Sequence, residues 1–138
     1  TQAKTLFPYT TLFRSGLIPD SGGTYFLPRL IGVQKAIALM MTGEKVSADD
    51  AERMNMIYKV FEDDTFEEES WKLTENLANM PTRGLGLTKK AVNLGLFNSL
   101  EDQLDLEEQL QTEAGETDDF TEGVNAFIQK RPAEFKGR

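Results

Sequence analysis

From Gly16 onward, apolar residues recur at the three-to-four spacing of amphipathic helices and rarely alternate as they would in a strand. Val33 to Thr42 sets Ala36, Ile37, Met40 and Met41 at helical spacing, and Gly43 supplies a stop. Ser47, with Asp50 three residues later, has the form of a capping box with Asp in place of Glu or Gln. It opens a helix to about Met54. Asp64 is placed to cap the next helix, whose apolar face is Phe66, Leu73, Leu77 and Met80. Pro81 begins a segment running through Leu85, Leu87, Ala91, Val92 and Leu94 to about Asn98. Ser99 and Asp102 predict a capped helix bearing Leu100, Leu104, Leu106 and Leu110. Thr117 or Asp118 caps the last one, which turns Phe120, Val124, Phe127 and Ile128 inward. Thr24 to Leu30 predicts a helix that is short or kinked, because Pro28 is tolerated only near a first turn. Ile57–Phe61 alone reads as a strand.

A mainly helical chain behind one loop and one short helix implies that a sheet belongs ahead of Gly16. What stands there is unlike the rest. Thr5 to Ser15 reads TLFPYTTLFRS, which matches residue for residue the in-frame translation of a widely used sequencing-library adapter. Residues 1–15 are therefore read as a foreign leader, against the alternative that their Thr, Tyr, Phe and Leu form a real strand. The expected organisation is this leader followed by a mainly helical chain from Gly16.

Composition narrows the chemistry. With no cysteine and no histidine among 138 residues, a disulfide framework, thiolate metal sites and imidazole acid–base catalysis are all excluded. Proton transfer falls to a carboxylate, a lysine or a tyrosine. Charge is uneven: residues 61–122 carry 17 acidic and 4 basic side chains, whereas residues 123–138 carry 1 and 4. The acidic stretch argues against a nucleic-acid partner, which would require phosphate neutralisation. Its acids, the run Glu67–Glu69 and those of residues 101–119, are expected to be solvated helix faces, not a metal site. No stretch approaches the roughly 18 apolar residues of a membrane span, and the cytoplasm is the expected compartment.

Gly16 to Thr24, GLIPDSGGT, is the most informative stretch. Its glycines let backbone approach a ligand, and the helix start beyond them offers N–H groups and a partial positive charge. Pro19 stiffens the chain ahead of Asp20. That aspartate is either a helix cap or an acid–base group, and local chemistry leaves both open.

GLIPDSGGTYFLPRLIG, then TGEKVSADDAERMNMIYKVF, PTRGLGLTKKAVN, SLEDQLDLEEQLQ and DDFTEGVNAFIQKRPAEFKGR together resemble the enoyl-CoA hydratase/isomerase (crotonase) family. The likeness runs from Gly16 to Arg138 and leans toward the isomerases of phenylacetate degradation. It implies an α/β fold of ββα repeats, with residues 16–80 as the C-terminal part of its core and residues 81–138 as C-terminal helices that build a trimer or a dimer of trimers. It implies an acyl-CoA thioester as substrate, a thioester enolate as intermediate, and no separate cofactor. The resemblance makes Asp20 the acid–base residue, where hydratases have a glycine and use two upstream glutamates. By the same likeness Pro19, Gly22, Gly23 and Tyr25 border the acyl group, though Tyr25, Phe26 and Leu27 read equally well as core. Phe127 and Lys130, with Phe135 and Lys136 nearby, would hold the adenine and phosphates of CoA. Alternatively, Lys130 and Arg131 complement a helix C-terminus. In the family both oxyanion-hole N–H groups come from the N-terminal half, so the chain as given is expected to be truncated and inactive. The rival readings are an enoyl-CoA hydratase and a non-catalytic chain that only oligomerises.

Overall fold

The computed structural model describes residues 16–138, so the leader expected at residues 1–15 lies outside the described residues. The chain forms two compact units, one ending at Asp63 and the other beginning at Asp64.

In the first unit, α1 (Gly23–Ile31) and α2 (Val33–Thr42) pack against each other across a single connecting residue, Gly32. Gly32 sits at φ 81°, ψ 153°, a conformation open to glycine and strained for any residue with a Cβ. That one residue reverses the chain sharply enough for the two helices to meet, and Ala36 is fully buried. Pro28 stands inside α1, where it removes one backbone donor, and the helix is correspondingly short at 9 residues. Gly43 closes α2 in the left-handed conformation, its N–H donating to Leu39 O at 3.0 Å. Helix α3 (Ala48–Arg53) starts as its sequence implied: Ser47 Oγ accepts from the Asp50 N–H at 3.1 Å and donates to Asp50 Oδ2 at 2.6 Å.

Two expectations require correction here. Ile57–Phe61 forms no strand, and no strand occurs among the described residues. Its β-favouring side chains lack a neighbouring strand to satisfy the backbone, and after Asn55 turns at φ 61° the chain runs on as bend and coil. Asp64 is not the cap of the following helix. That position falls to Thr65, whose side chain makes no capping bond, and Glu67, Glu68 and Glu69 place negative charge against the helix N-terminus instead.

The second unit consists of α4 (Phe66–Ala78), α5 (Thr82–Gly95), α6 (Leu100–Gly115) and α7 (Asp118–Gln129). Helix α6 packs against both α5 and α7. Gln103 joins α5 to α6 by donating to Ala91 O at 3.4 Å and accepting from Asn98 Nδ2 at 3.0 Å. Arg83 and Glu113 form an ion pair that also links α5 and α6. The caps at Ser99 and Thr117 form as expected, accepting from Asp102 N at 3.1 Å and Phe120 N at 3.0 Å.

The helices have the apolar faces their spacing implied, but few of those side chains are covered. The buried hydrophobic residues are Ala36, Val46, Ala51, Leu87, Leu110 and Ala126. Met41, Leu100, Leu104 and Phe120 remain 55–77% exposed. Amphipathicity, not burial, is the property the sequence encodes here.

Candidate active site

The loop ahead of α1 is shaped by two left-handed residues in succession, Ser21 at φ 52° and Gly22 at φ 81°. Gly22 is the N-cap and offers no side chain to the helix, so the carboxylate of Asp20 is not spent on capping. Asp20 instead turns the chain with its backbone, its carbonyl accepting from the Gly23 N–H at 2.8 Å. Its side chain is exposed and accepts a 3.3 Å hydrogen bond from Ser21 Oγ. Gly22 cannot be replaced freely, because a Cβ there would lie 2.8 Å from Phe26 Cε2 in addition to the backbone strain. Pro19 stands close to Gly23, where a Cβ would sit 3.5 Å from the proline ring. The loop is thus closely packed on its own helix, and the Asp20 carboxylate stays exposed.

Tyr25 projects from the first turn of α1 and is half-buried. Arg29, one turn on, lies 3.7 Å over the Tyr25 ring and donates to Tyr25 O at 2.9 Å. Phe26 meets Tyr25 edge to face at 5.1 Å. Pro19, Asp20, Gly22, Gly23 and Tyr25 therefore share one loop–helix corner of the first unit. Asp20 there presents an exposed carboxylate, a group chemically suited to move a proton.

Phe127 and Lys130 belong to the second unit, at the end of α7. Phe127 is 85% exposed, and Lys130 is the C-cap, left-handed at φ 54°. Arg131, which the sequence paired with Lys130 as a helix complement, has a different task. It forms a two-point pair with Glu122, Nη1 to Oε1 at 2.6 Å and Nη2 to Oε2 at 2.8 Å. It also donates to Gln129 Oε1 and Pro132 O. The two Arg131 bonds to Glu122, with the Glu134 N–H at 2.9 Å, hold the pKa of the Glu122 carboxyl down to about 2.

Sequence reasoning missed a second carboxylate. Asp119 is 3% exposed and accepts from the backbone N–H groups of Lys136, at 2.6 Å, and Gly137, at 2.8 Å. The Asp119 N–H, one of the free donors of the first turn of α7, donates in return to Arg138 O at 3.1 Å. Residues 131–138 are thereby folded back along α7. The expectation that the acids of residues 101–119 are solvated is corrected at Asp119, where the returning tail covers the carboxylate and supplies its partners.

A sequence model of the family described as Enoyl-CoA hydratase/isomerase matches residues 7–138. The chain belongs to that family. The match begins inside the segment read as adapter-derived. This family member is 45% identical over 123 residues to 1,2-epoxyphenylacetyl-CoA isomerase of Escherichia coli (strain K12), covering 89% of this chain and 47% of the relative. It is 43% identical over 125 residues to the protein named "Probable enoyl-CoA hydratase" of Rhodobacter capsulatus, covering 91% and 49%. Among solved structures, enoyl-CoA hydratase from Bacillus anthracis superposes with a TM-score of 0.84 at 34% identity, covering 91% of this chain and 48% of that one. The expected crotonase-type fold stands, with the described residues forming a helical part of it. The chain spans about half the length of the relatives it matches. Among the described residues no helix is long and apolar enough to cross a membrane, and no cluster of ligating side chains is suited to a metal.

Proposed function

We propose that the whole protein is an acyl-CoA isomerase, with 2-(1,2-epoxy-1,2-dihydrophenyl)acetyl-CoA of phenylacetate catabolism as its substrate. Asp20 removes a proton from the acyl chain and returns it, while backbone donors from outside residues 16–138 stabilise the thioester enolate. Such donors act where charge develops and are commonly the largest catalytic contribution. The observation that carries this reading is the exposed Asp20 carboxylate, two residues ahead of a glycine N-cap and not consumed by capping. The likeness to the Escherichia coli isomerase supports it. Pro19, Gly22, Gly23 and Tyr25 would border the acyl group, and Phe127 and Lys130 would meet the adenine and phosphates of CoA. The reaction needs no added cofactor, and assembly is as a trimer or a dimer of trimers.

The test is Asp20→Asn in the whole protein, a change that keeps shape but cannot accept a proton at neutral pH. Turnover should fall ~10²–10⁴-fold with little change in acyl-CoA affinity. Near-normal turnover would reduce Asp20 to a turn residue.

A second reading, enoyl-CoA hydratase, is favoured by the 43% identity to the Rhodobacter capsulatus relative. Two glutamates placed upstream in the whole protein, with hydration of an enoyl thioester in Asp20→Asn, would establish it. The uncovered apolar faces support a third, that this chain by itself only associates.

A further inference from the structure

The left-handed residue that closes α7 is a lysine, where glycine would be the unstrained choice. A non-glycine residue in this conformation carries a penalty, so the neighbouring structure must hold it there. Two backbone bonds close the turn, Lys130 N–H to Phe127 O at 3.2 Å and Arg131 N–H to Ala126 O at 3.1 Å. What fixes the chain beyond them is Glu122. Both its oxygens hold the guanidinium of the residue directly after Lys130, and one also takes the Glu134 N–H. One helical turn earlier, Asp119 anchors Lys136 and Gly137 in the same way. The two carboxylates stand on one face of α7 and grip the returning tail at successive points.

Arg131 is therefore committed to Glu122, Gln129 and Pro132, leaving Lys130, also exposed, as the cation of this turn outside the clamp. We propose that Glu122, seconded by Asp119, is a positioning residue: by clamping Arg131 and the tail it sets the left-handed turn that aims Lys130, beside exposed Phe127, at an anionic nucleotide. This role rests on the acyl-CoA reading above. The arrangement separates two neighbouring cations by function, one structural and one for the ligand.

The experiment uses the whole protein with coenzyme A as the probe, and reads binding by calorimetry and amide exchange by mass spectrometry or NMR. Glu122→Gln keeps the shape but loses the charge that holds Arg131. Exchange at Lys130, Arg131 and Glu134 should quicken about tenfold, and coenzyme A binding should weaken about tenfold, at unchanged helix content. Lys130→Ala should weaken binding to a similar degree while leaving Glu134 exchange as it was. The double variant should bind no worse than Lys130→Ala, because both changes remove the same contact. Undiminished binding in Glu122→Gln despite a loosened tail overturns the proposal, as do fully additive losses. Absence of coenzyme A binding by the unaltered whole protein overturns the acyl-CoA premise itself, and is told apart because no variant is needed to see it.

Discussion

Replacing Asp119 with alanine removes both of its hydrogen bonds to the tail at once, and the structure sets the scale of the loss. Two backbone donors, at 2.6 and 2.8 Å, meet a carboxylate that is 3% exposed. Hydrogen bonds to a charged group contribute about 1.5–3 kcal/mol each, so the gross loss is about 3–6 kcal/mol. Residues 136–138 then come free and regain backbone entropy, about 1 kcal/mol each at the low end. Asp119 also faces the N-terminus of α7, where a negative charge contributes about 0.5 kcal/mol. The net expectation is a destabilisation of about 2 kcal/mol, equivalent to roughly thirtyfold in an opening equilibrium. Asp119→Asn retains one acceptor but turns an amide donor toward a backbone N–H, and should lose at least half as much. Urea unfolding gives the free energy, and amide exchange at Gly137 and along the first turn of α7 gives its location. A shift under about 0.5 kcal/mol, with Gly137 still protected in the alanine variant, would show that the tail is held by something other than this carboxylate.

Gly22→Ala forces a Cβ into a left-handed residue against the Phe26 ring, and should destabilise the first unit by about 1–2 kcal/mol in a denaturant titration. Ser99→Ala removes the acceptor for Asp102 N–H and should cost about 1 kcal/mol, read as faster exchange in the first turn of α6. The carboxyl of Glu122 is held at about 2, below its ordinary value of 4.5, chiefly by the Arg131 hydrogen bonds. Its contribution is therefore fully present above about pH 4.5 and fades as pH falls toward 2, so Glu134 exchange, corrected for its intrinsic pH dependence, should rise across that window in the unaltered chain and stay flat in Glu122→Gln. The uncovered faces of α2 and α6 should drive association, so light scattering after size exclusion should find oligomers, and a clean monomer would refute this.

The helices were readable because their signals are local. Ser47, Ser99 and Thr117 cap what their spacing says they cap, and Gly43 stops α2 through its own conformation. The failures come where the deciding interaction is not local. Ile57–Phe61 has strand-forming side chains, but a strand exists only with a partner, and no residue in the segment can specify one. Asp64 has the right chemistry for a cap, and helix geometry selected its neighbour Thr65. At the candidate site, the glycine corner and Asp20 were legible from GLIPDSGG, whereas Asp20's freedom from capping needed the φ angle of Gly22. The clasp at Asp119 and Glu122 bridges separations of 9 to 18 residues, beyond any helical spacing rule.

The scarcity of buried side chains bears on how the chain responds to heat. Unfolding enthalpy and its temperature dependence follow the apolar surface newly exposed to water, and here Ile37, Met41, Leu100, Leu104 and Phe127 already meet it in the folded state. The heat-capacity increment should be small for 138 residues and the calorimetric transition broad and shallow. A partner that covers those faces would deepen the endotherm as well as raise its temperature, because each covered side chain adds to the solvent-exposure change on melting. The width of the melting curve thus becomes a gauge of whether the apolar faces have found their complement.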